Sequence, residues 1–252
     1  MLQVDRQEKL LEYLNANGRA TVDELERFLS VSKATVRRDI DELDSRKLLY
    51  KTYGGVISLY NTLSGEIPST EKSSRCIEEK RRIGKEAAGL VEDGDIIILD
   101  SGTTTLEIAR NLGNKTVTVI TNDLKIATEL ARFPRITLYM VGGFVEHDVS
   151  VTLGHVALQF LNTIKANKTF LGVDAINPEK GVTDRAMADV PIKQAMAASG
   201  RELIIVADHT KIGQELFAAV GLLDRIQKMV TGQIDAEMKA KFEKVGIEVR
   251  LA

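Results

Sequence analysis

The stretch SVSKATVRRDI, residues 30–40, predicts the fold of the first part of the chain. Ser32 is placed as a helix N-cap, because its hydroxyl can accept a hydrogen bond from a backbone N–H one turn later. Apolar residues then recur at helical spacing on one face: Val36, Ile40 and Leu43. Since each residue turns a helix by about 100°, Arg37 and Arg38 point away from that face, near the beginning of the helix.

The flanking residues predict two more helices and a hairpin. Gln7, Leu10, Leu11 and Leu14 fall at positions i, i+3, i+4 and i+7, which predicts a first, amphipathic helix that ends at Asn17-Gly18. Thr21 and Glu24 match a capping box at the start of a second helix, which runs to about Leu29. Residues 48–53 form a short, β-prone and basic segment, and Gly54-Gly55 separates it from Val56-Ile57. We therefore predict a winged helix-turn-helix domain over residues 1–58.

In such a domain the first residues of the third helix enter the major groove of double-stranded DNA. The predicted contacts with operator DNA are Ser32, Lys33, Thr35, Arg37, Arg38, Lys47, Lys51 and Tyr53. The alternative is a helical subdomain in which Arg37 and Arg38 are solvated surface. The net charge of −2 argues against a protein that coats nucleic acid non-specifically, so DNA binding must depend on local placement of charge.

Composition limits the other classes. The chain has 252 residues, 44% hydrophobic and 28% charged, which is typical of a globular protein of two domains. The single cysteine, Cys76, rules out an internal disulfide, and one cysteine with three scattered histidines predicts no zinc site. We expect neither a metal nor another cofactor. Charges from Met1 to Leu14 argue against a signal peptide, and runs such as Ile96–Leu99 are too short to span a bilayer. A cytoplasmic protein without a membrane partner is expected.

Residues 59–78 contain Pro68 and several Ser and Thr without clear periodicity, which predicts a linker. Over residues 79–252, continuous apolar strands alternate with helices, which is typical of a mostly parallel α/β sheet covered on both faces. The predicted strands are residues 96–99, 117–121, 136–141, 169–172, 203–207, 229–231 and 247–251. The helices predicted between them are residues 105–112, 124–131, 157–164 and 192–199.

Ligands of such sheets bind beyond the carboxyl ends of the strands. Glycines or polar residues follow five predicted strands: Asp100, Ser101, Gly102, Thr103, Thr104 and Thr105; Thr121 and Asn122; Gly142 and Gly143; Gly172 and Asp174; Asp208 and Lys211. The loop from Asp100 to Thr105 precedes a helix, whose N–H groups and dipole favour a phosphate or carboxylate. Taken singly, such residues are more often helix caps, turns and strand ends than ligand contacts. Together they predict a polyol or sugar-phosphate site.

Many of these motifs together resemble the DeoR family of bacterial sugar-catabolism regulators. They are Arg6-Gln7, Val31-Ser32 with Thr35 to Asp39, Tyr53 to Val56, Glu79-Lys80 with Ile83, Asp100 to Thr105, Thr121-Asn122, Gly142-Gly143, Gly172 to Asp174, Lys193, and Asp208 with Lys211 and Gly213. The match runs in order from about residue 5 to residue 232. Two positions depart from the family pattern: Asp189, followed by Pro191, stands where a glutamate is usual, and Ile212 stands where a phenylalanine is more frequent.

The resemblance implies a repressor with a sensor domain similar to ribose-5-phosphate isomerase and glucosamine-6-phosphate deaminase. It adds Asp189 and Lys193 to the effector contacts and implies a homodimer or homotetramer. The leading hypothesis is a repressor of a sugar or polyol catabolic operon, released by a phosphorylated sugar. A sugar-phosphate isomerase or deaminase with a DNA-binding appendage is the alternative, but the sequence contains no nucleophile-base-orienter set of recognisable spacing, so we expect no enzyme. A third hypothesis is an unphosphorylated sugar, polyol or sugar acid as effector.

Overall fold

The computed structural model describes residues 2–17, 19–46, 48–52, 55–58, 75–146 and 150–252. By its internal contacts the chain divides into two units, Met1–Ile67 and Pro68–Ala252. Most of the predicted linker lies outside the described residues, so the domain boundaries 1–58 and 79–252 stay predictions. Among the described residues, no helix has the length and apolar character needed to cross a bilayer.

Over its described residues, the first unit contains three helices and a small antiparallel sheet. Its elements are α1 Gln3–Asn17, β1 Arg19–Thr21, α2 Val22–Leu29, α3 Lys33–Ser45, β2 Leu49–Thr52 and β3 Gly55–Ser58. Strand β3 lies between β1 and β2. The capping box of Thr21 and Glu24 forms at α2, and Ser32 caps α3, as predicted. Strand β1 was not predicted, because three residues between a helix end and a helix cap are too few to show a period.

The core of this unit is built from the predicted apolar stripes. Its least exposed side chains are Leu10, Leu14, Leu25, Val36, Ile40, Leu43, Leu49 and Val56. All three apolar residues of α3 are among them. The predicted inner face of this helix is therefore confirmed, and Arg37 and Arg38 lie on its exposed side.

The second unit is an α/β domain. Its elements are α4 Ile77–Gly89, β4 Ile96–Leu99, α5 Thr103–Arg110, β5 Val117–Thr121, α6 Leu124–Leu130, β6 Ile136–Met140, β7 Phe144–Glu146, β8 Val151–Leu153, α7 His155–Thr163, β9 Ala166–Gly172, β10 Ala175–Asn177, β11 Gly181–Asp184, α8 Asp189–Ser199, β12 Gly200–Val206, β13 Ala218–Gly221, β14 Ile226–Thr231, α9 Ala236–Lys244 and β15 Glu248–Leu251, with 3₁₀ turns at His209–Lys211 and Leu223–Arg225. The seven predicted strands form one parallel sheet, in the order β15-β14-β12-β9-β4-β5-β6. Two small antiparallel sheets, β10-β11-β13 and β7-β8, were not predicted.

Alternate residues of each parallel strand enter two different cores. Ile97 and Leu99 pack with α4, α5 and α6, whereas Ile98, between them, packs with α7, α8 and α9. This alternation follows from the two-residue period of a strand. Because both faces are covered, the strands contain continuous apolar runs, and the predicted two-sided α/β sheet is confirmed.

The strand order reverses direction between β4 and β9. From β4 the chain continues outward through β5 and β6, and from β9 it continues the other way through β12, β14 and β15. Such a reversal opens a crevice at the carboxyl ends of the two central strands, because the connections leave toward opposite sides. We call the place where Asp100 follows β4 and Gly172 ends β9 the switch crevice.

Candidate functional site

The start of α3 is held by paired hydroxyls. The backbone N–H of Thr35 donates to Ser32 Oγ at 3.3 Å, and the two side-chain oxygens lie 3.0 Å apart. Arg37 and Arg38 are exposed. Lys33 is about half exposed, with its Nζ 2.7 Å from Asp23 Oδ1, and this hydrogen bond raises the pKa of Lys33. The N-terminal end of α3 therefore presents cations to solvent, as predicted.

The wing is tied to α3 through Lys51 in strand β2. Its ammonium pairs with Asp41, and its backbone N–H donates to Asp44 Oδ1 at 3.2 Å. Lys51 thus lies close to α3, the helix predicted to read DNA. The two other predicted wing contacts, Lys47 and Tyr53, lie outside the described residues and stay predictions.

Lys193, from α8, lies at the centre of the switch crevice. Its Nζ donates to Asp100 Oδ2 at 2.7 Å and to the Gly172 carbonyl at 2.6 Å, which joins the ends of β4 and β9. Asp184 Oδ2 is 3.4 Å from the same nitrogen. Asp184, at the end of β11, was missed by sequence analysis because its strand was not predicted. A buried lysine at this point binds both walls of the crevice.

Burial and charge act in opposite directions on this group. Burial raises the pKa of Asp100 to about 6, although the Lys193 ammonium works to lower it. For Lys193, burial favours the neutral amine, but three carboxylates, those of Asp100, Asp184 and Asp189, outweigh it and hold its pKa well above the usual range. Lys193 is therefore a charged hydrogen-bond donor, and carboxylate oxygens surround it.

The loop from Asp100 to Thr105 makes a tight turn into α5. Gly102 has a φ of +140°, a backbone conformation that favours glycine. Its N–H donates to Asp123 Oδ2 at 3.2 Å, and its carbonyl accepts from Thr105 Oγ1 at 2.9 Å. Thr105 and Thr121 are fully buried and their hydroxyls bond within the protein. Ser101 and Thr103 remain partly exposed, at the positive end of the α5 dipole.

A second part of the predicted site is organised around β8. Asn122 Nδ2 donates to the Thr152 carbonyl at 3.1 Å, whereas its Oδ1 is buried and accepts no hydrogen bond within the described residues. Gly143 has a φ of +149°, and a Cβ there would lie 2.4 Å from the Leu153 carbonyl oxygen. Gly142 beside it is exposed. Gly143 therefore lets the chain entering β7 pass close to the end of β8.

A third part joins Asp174 to two cations. Arg185 Nε is 3.4 Å from Asp174 Oδ2, and Lys211 Nζ is 3.7 Å from Asp174 Oδ1. Since Arg185 directly follows Asp184, this group is continuous with the one at Lys193. The predicted residues Asp100, Gly172, Asp174, Asp189, Lys193 and Lys211 are thus brought together. Arg185, like Asp184, was missed.

Asp208 lies at the end of β12 and faces Lys80 of α4. The Lys80 Nζ and Asp208 Oδ2 are 3.8 Å apart and both side chains are buried. The neighbouring residue His209 donates its backbone N–H to Glu79 Oε1 at 2.9 Å. Glu79-Lys80 appears in the sequence resemblance but received no role there. The structure places this pair against the predicted residue Asp208.

Comparison with known proteins agrees with both units. Residues 6–62 match the model of the DeoR-like helix-turn-helix domain, and residues 75–233 match that of the DeoR C terminal sensor domain. The chain belongs to the DeoR family. This DeoR-family protein is therefore a DNA-binding transcriptional regulator, which confirms the family and the general function predicted from sequence.

Its relatives include the HTH-type transcriptional regulator GolR of Listeria innocua, which is 32% identical over all of both chains. The lactose phosphotransferase system repressor of Staphylococcus aureus is 33% identical over 97% of this chain and 98% of its own. Among solved structures, ribose 5-phosphate isomerase of Methanocaldococcus jannaschii is 19% identical, with a TM-score of 0.41 over 54% of this chain and 55% of that chain.

Proposed function

We propose that this DeoR-family protein represses a sugar or polyol catabolic operon and leaves its operator when a small phosphorylated sugar binds at the switch crevice. The observation that carries the proposal is the position of Lys193, which bonds the ends of β4 and β9 at once. A ligand that breaks these hydrogen bonds, or adds its own bond to Lys193, therefore affects both walls of the switch crevice. The name of the Staphylococcus relative, a lactose phosphotransferase repressor, supports a carbohydrate as the signal.

Different residues of the crevice suit the two parts of a sugar phosphate, its hydroxyls and its phosphate. Carboxylates accept hydrogen bonds from sugar hydroxyls; Asp100 and Asp189 supply them beside Lys193, and Asp174 supplies one beside Lys211. The N-terminus of α5 suits an anion, because Gly102 has no side chain to cap it. We therefore place the phosphate beside Ser101 and Thr103. The remaining proposed contacts are Thr104, Thr105, Thr121, Asn122, Gly142, Gly143, Gly172, Asp208 and Lys211.

Thermal-shift measurements on the full chain, with matched pairs of phosphorylated and unphosphorylated sugars, test the effector class. We expect the phosphorylated member of one pair to raise the melting temperature and to weaken binding to the regulated promoter. In Asp100→Asn, which preserves the shape of the side chain, the shift should be lost. Lys239→Met, on the surface helix α9, is the control. Stabilisation by unphosphorylated compounds alone would refute the proposal that the effector is a phosphorylated sugar.

Release from DNA requires that the effector bind the weakly DNA-binding conformer more tightly, because a ligand without differential affinity shifts no equilibrium. Linkage is reciprocal: if the effector weakens operator binding by some factor, the operator weakens effector binding by the same factor. Titration of the effector with and without saturating operator measures that factor directly. Equal effector affinities in the two titrations would exclude release by this route.

For DNA, we propose base-edge or phosphate contacts from Arg37 and Arg38, supported by their exposure on α3, with Ser32, Lys33, Thr35, Lys47, Lys51 and Tyr53 beside them. Arg38→Ala should weaken operator binding by roughly 5- to 150-fold at matched salt, as expected for a base-contacting arginine. Arg201→Ala, in the sensor domain, is the control. We also propose that the protein acts in the cytoplasm as a homodimer or homotetramer, because helix-turn-helix proteins bind operators of two-fold symmetry as dimers. Unchanged affinity in Arg38→Ala would remove this helix as the DNA reader.

We infer that the site binds without turnover. The raised pKa of Lys193 supports this, because a protonated ammonium cannot attack a sugar carbonyl. Incubation of the full chain with the effector should leave the compound unchanged while binding remains stoichiometric. Conversion of the phosphosugar at a rate that Asp100→Asn abolishes would replace the proposal with the isomerase alternative.

A further inference from the structure

We propose that Cys76, Glu79, Asp208 and His209 form a binding site for one divalent transition-metal ion of the zinc type. Each of the four residues offers one ligand atom, and these atoms all lie within 4.8 Å of one another. The sequence predicts no zinc site, because it has one cysteine and three scattered histidines, and Cys76 and His209 are far apart in it. The fold removes that distance by packing the beginning of α4 against the end of β12.

The frame of the site is already held in place by bonds other than a metal. His209 donates its backbone N–H to Glu79 Oε1 at 2.9 Å, and its Nδ1 lies 2.6 Å from Glu79 Oε2. Asp208 Oδ1 accepts a hydrogen bond from the backbone N–H of Thr210 at 3.1 Å, whereas Asp208 Oδ2 faces the Lys80 ammonium. Groups fixed in this way lose little conformational freedom when an ion binds, so the cost of organising the ligands is small.

The donor set selects the class of ion. One sulfur, one imidazole nitrogen and two carboxylate oxygens are the ligands that Zn²⁺ takes in proteins, in four-coordinate geometry. Ca²⁺ and Mg²⁺ bind through oxygen alone, so a thiol and an imidazole give them no advantage. Co²⁺ accepts the same donors as Zn²⁺ and serves as its spectroscopic probe.

The Lys80 ammonium competes with a bound metal ion for Asp208. Its nitrogen is 3.8 Å from Asp208 Oδ2, with both side chains buried, so a metal ion bound to Asp208 must share that carboxylate with a cation or displace it. Asp208 is also a proposed effector contact. The metal and the effector therefore act on one carboxylate, and occupancy of the first alters binding of the second.

The test uses the full chain freed of metal with a chelator and titrated with Co²⁺ alone. We expect one ion per chain and the near-ultraviolet charge-transfer band of a cobalt-bound thiolate, which Zn²⁺ removes by competition. Zn²⁺ at about 100 times its Kd should raise the melting temperature by roughly 5–10 °C. Cys76→Ser should abolish the band, and His209→Gln should weaken binding by at least roughly 10- to 100-fold. His155→Gln, an exposed histidine in α7, should change neither.

Three results overturn the proposal. They are the absence of a charge-transfer band in the unaltered chain, a band that persists in Cys76→Ser, and equal losses in His209→Gln and His155→Gln. Circular dichroism of the metal-free variants establishes that they fold. If His209→Gln does not fold, the partly exposed Cys76 still decides the matter, because serine has nearly its shape but does not give the thiolate band.

Discussion

The guanidinium of Arg6 in α1 forms a two-pronged ion pair with the carboxylate of Asp39 in α3, with Nη2 and Oδ1 2.9 Å apart and a second bond from Nε. Asp39 has no exposed surface. Its hydrogen bond raises the pKa of Arg6. Because Asp39 directly follows Arg38, this pair sets the rotation of α3 about its own axis and so the direction in which Arg37 and Arg38 point.

Removing one partner of this pair is expected to be costly. Asp39→Ala should lower the free energy of unfolding of the first unit by roughly 1.5–3 kcal/mol, since it removes the charge-assisted hydrogen bonds from Arg6. Urea denaturation measures this change. The double variant Arg6→Met/Asp39→Leu, which fills the same space with apolar groups, should recover most of the loss. Purely additive losses would show that the two charges do not act as a pair.

The N-cap of α3 is expected to matter more for DNA than that of α2. Ser32→Ala should cost about 0.5–2 kcal/mol of unfolding free energy and should also weaken operator binding, because Ser32 holds Thr35 at the DNA end of the helix. Thr21→Ala removes the corresponding cap from α2 and is the matched control. We expect comparable losses of stability but a loss of operator affinity in Ser32→Ala alone, measured by fluorescence anisotropy. Equal affinities would separate Ser32 from recognition.

Asp100 makes stability depend on pH. Its pKa is about 6 in the folded chain and 3.8 in a model peptide, so the folded state binds the proton more tightly. The stabilisation from that proton is complete below pH 4 and is lost as the pH rises through 6. The shift corresponds to roughly 3 kcal/mol.

The variant Asp100→Asn isolates this effect, because asparagine has no proton to lose in this range. The difference in unfolding free energy between the unaltered chain and Asp100→Asn, followed by urea denaturation from pH 4 to pH 8, should therefore fall by about that amount. A difference that is flat with pH, or that rises, contradicts a buried Asp100.

Gly102 should not tolerate a side chain. Gly102→Ala forces an L-residue into a φ of +140° and should cost roughly 1–3 kcal/mol of stability and weaken the response to effector. Gly89 ends α4 with nothing within 4 Å of the position of an added Cβ. Gly89→Ala should therefore be neutral or stabilise by about 0.4–1 kcal/mol. Similar thermal shifts for the two variants would mean that the turn at Gly102 is not strained.

Local patterns account for what could be predicted. Caps at Thr21 and Ser32, and apolar spacing in α3, are set by residues within two turns of one another, and the structure agrees with them. The seven parallel strands were found because each contains several β-prone apolar residues, which form continuous runs in β4 and β12. The short strands β10 and β11 were missed, and with them Asp184 and Arg185, because a strand of three or four residues shows too few repeats of its period.

Contacts between distant segments were the other gap. Lys193 was included through the family resemblance alone, since nothing in the sequence around α8 connects it to Asp100, 93 residues earlier. The contacts of Lys80 with Asp208 and of Glu79 with His209 were missed in the same way, because these residues are also far apart in the sequence. No pattern of local spacing can show such pairs, because the tertiary fold creates them.

The reversal of strand order between β4 and β9 also bears on when the protein becomes able to sense. The walls of the crevice come from Asp100 and Gly172, the lysine that joins them is residue 193, and Lys211 follows later still. As the chain is synthesised, the helices of the predicted DNA-binding domain therefore emerge from the ribosome before all residues of the proposed effector site have been added. During that interval, a nascent chain that bound DNA could not respond to the proposed effector.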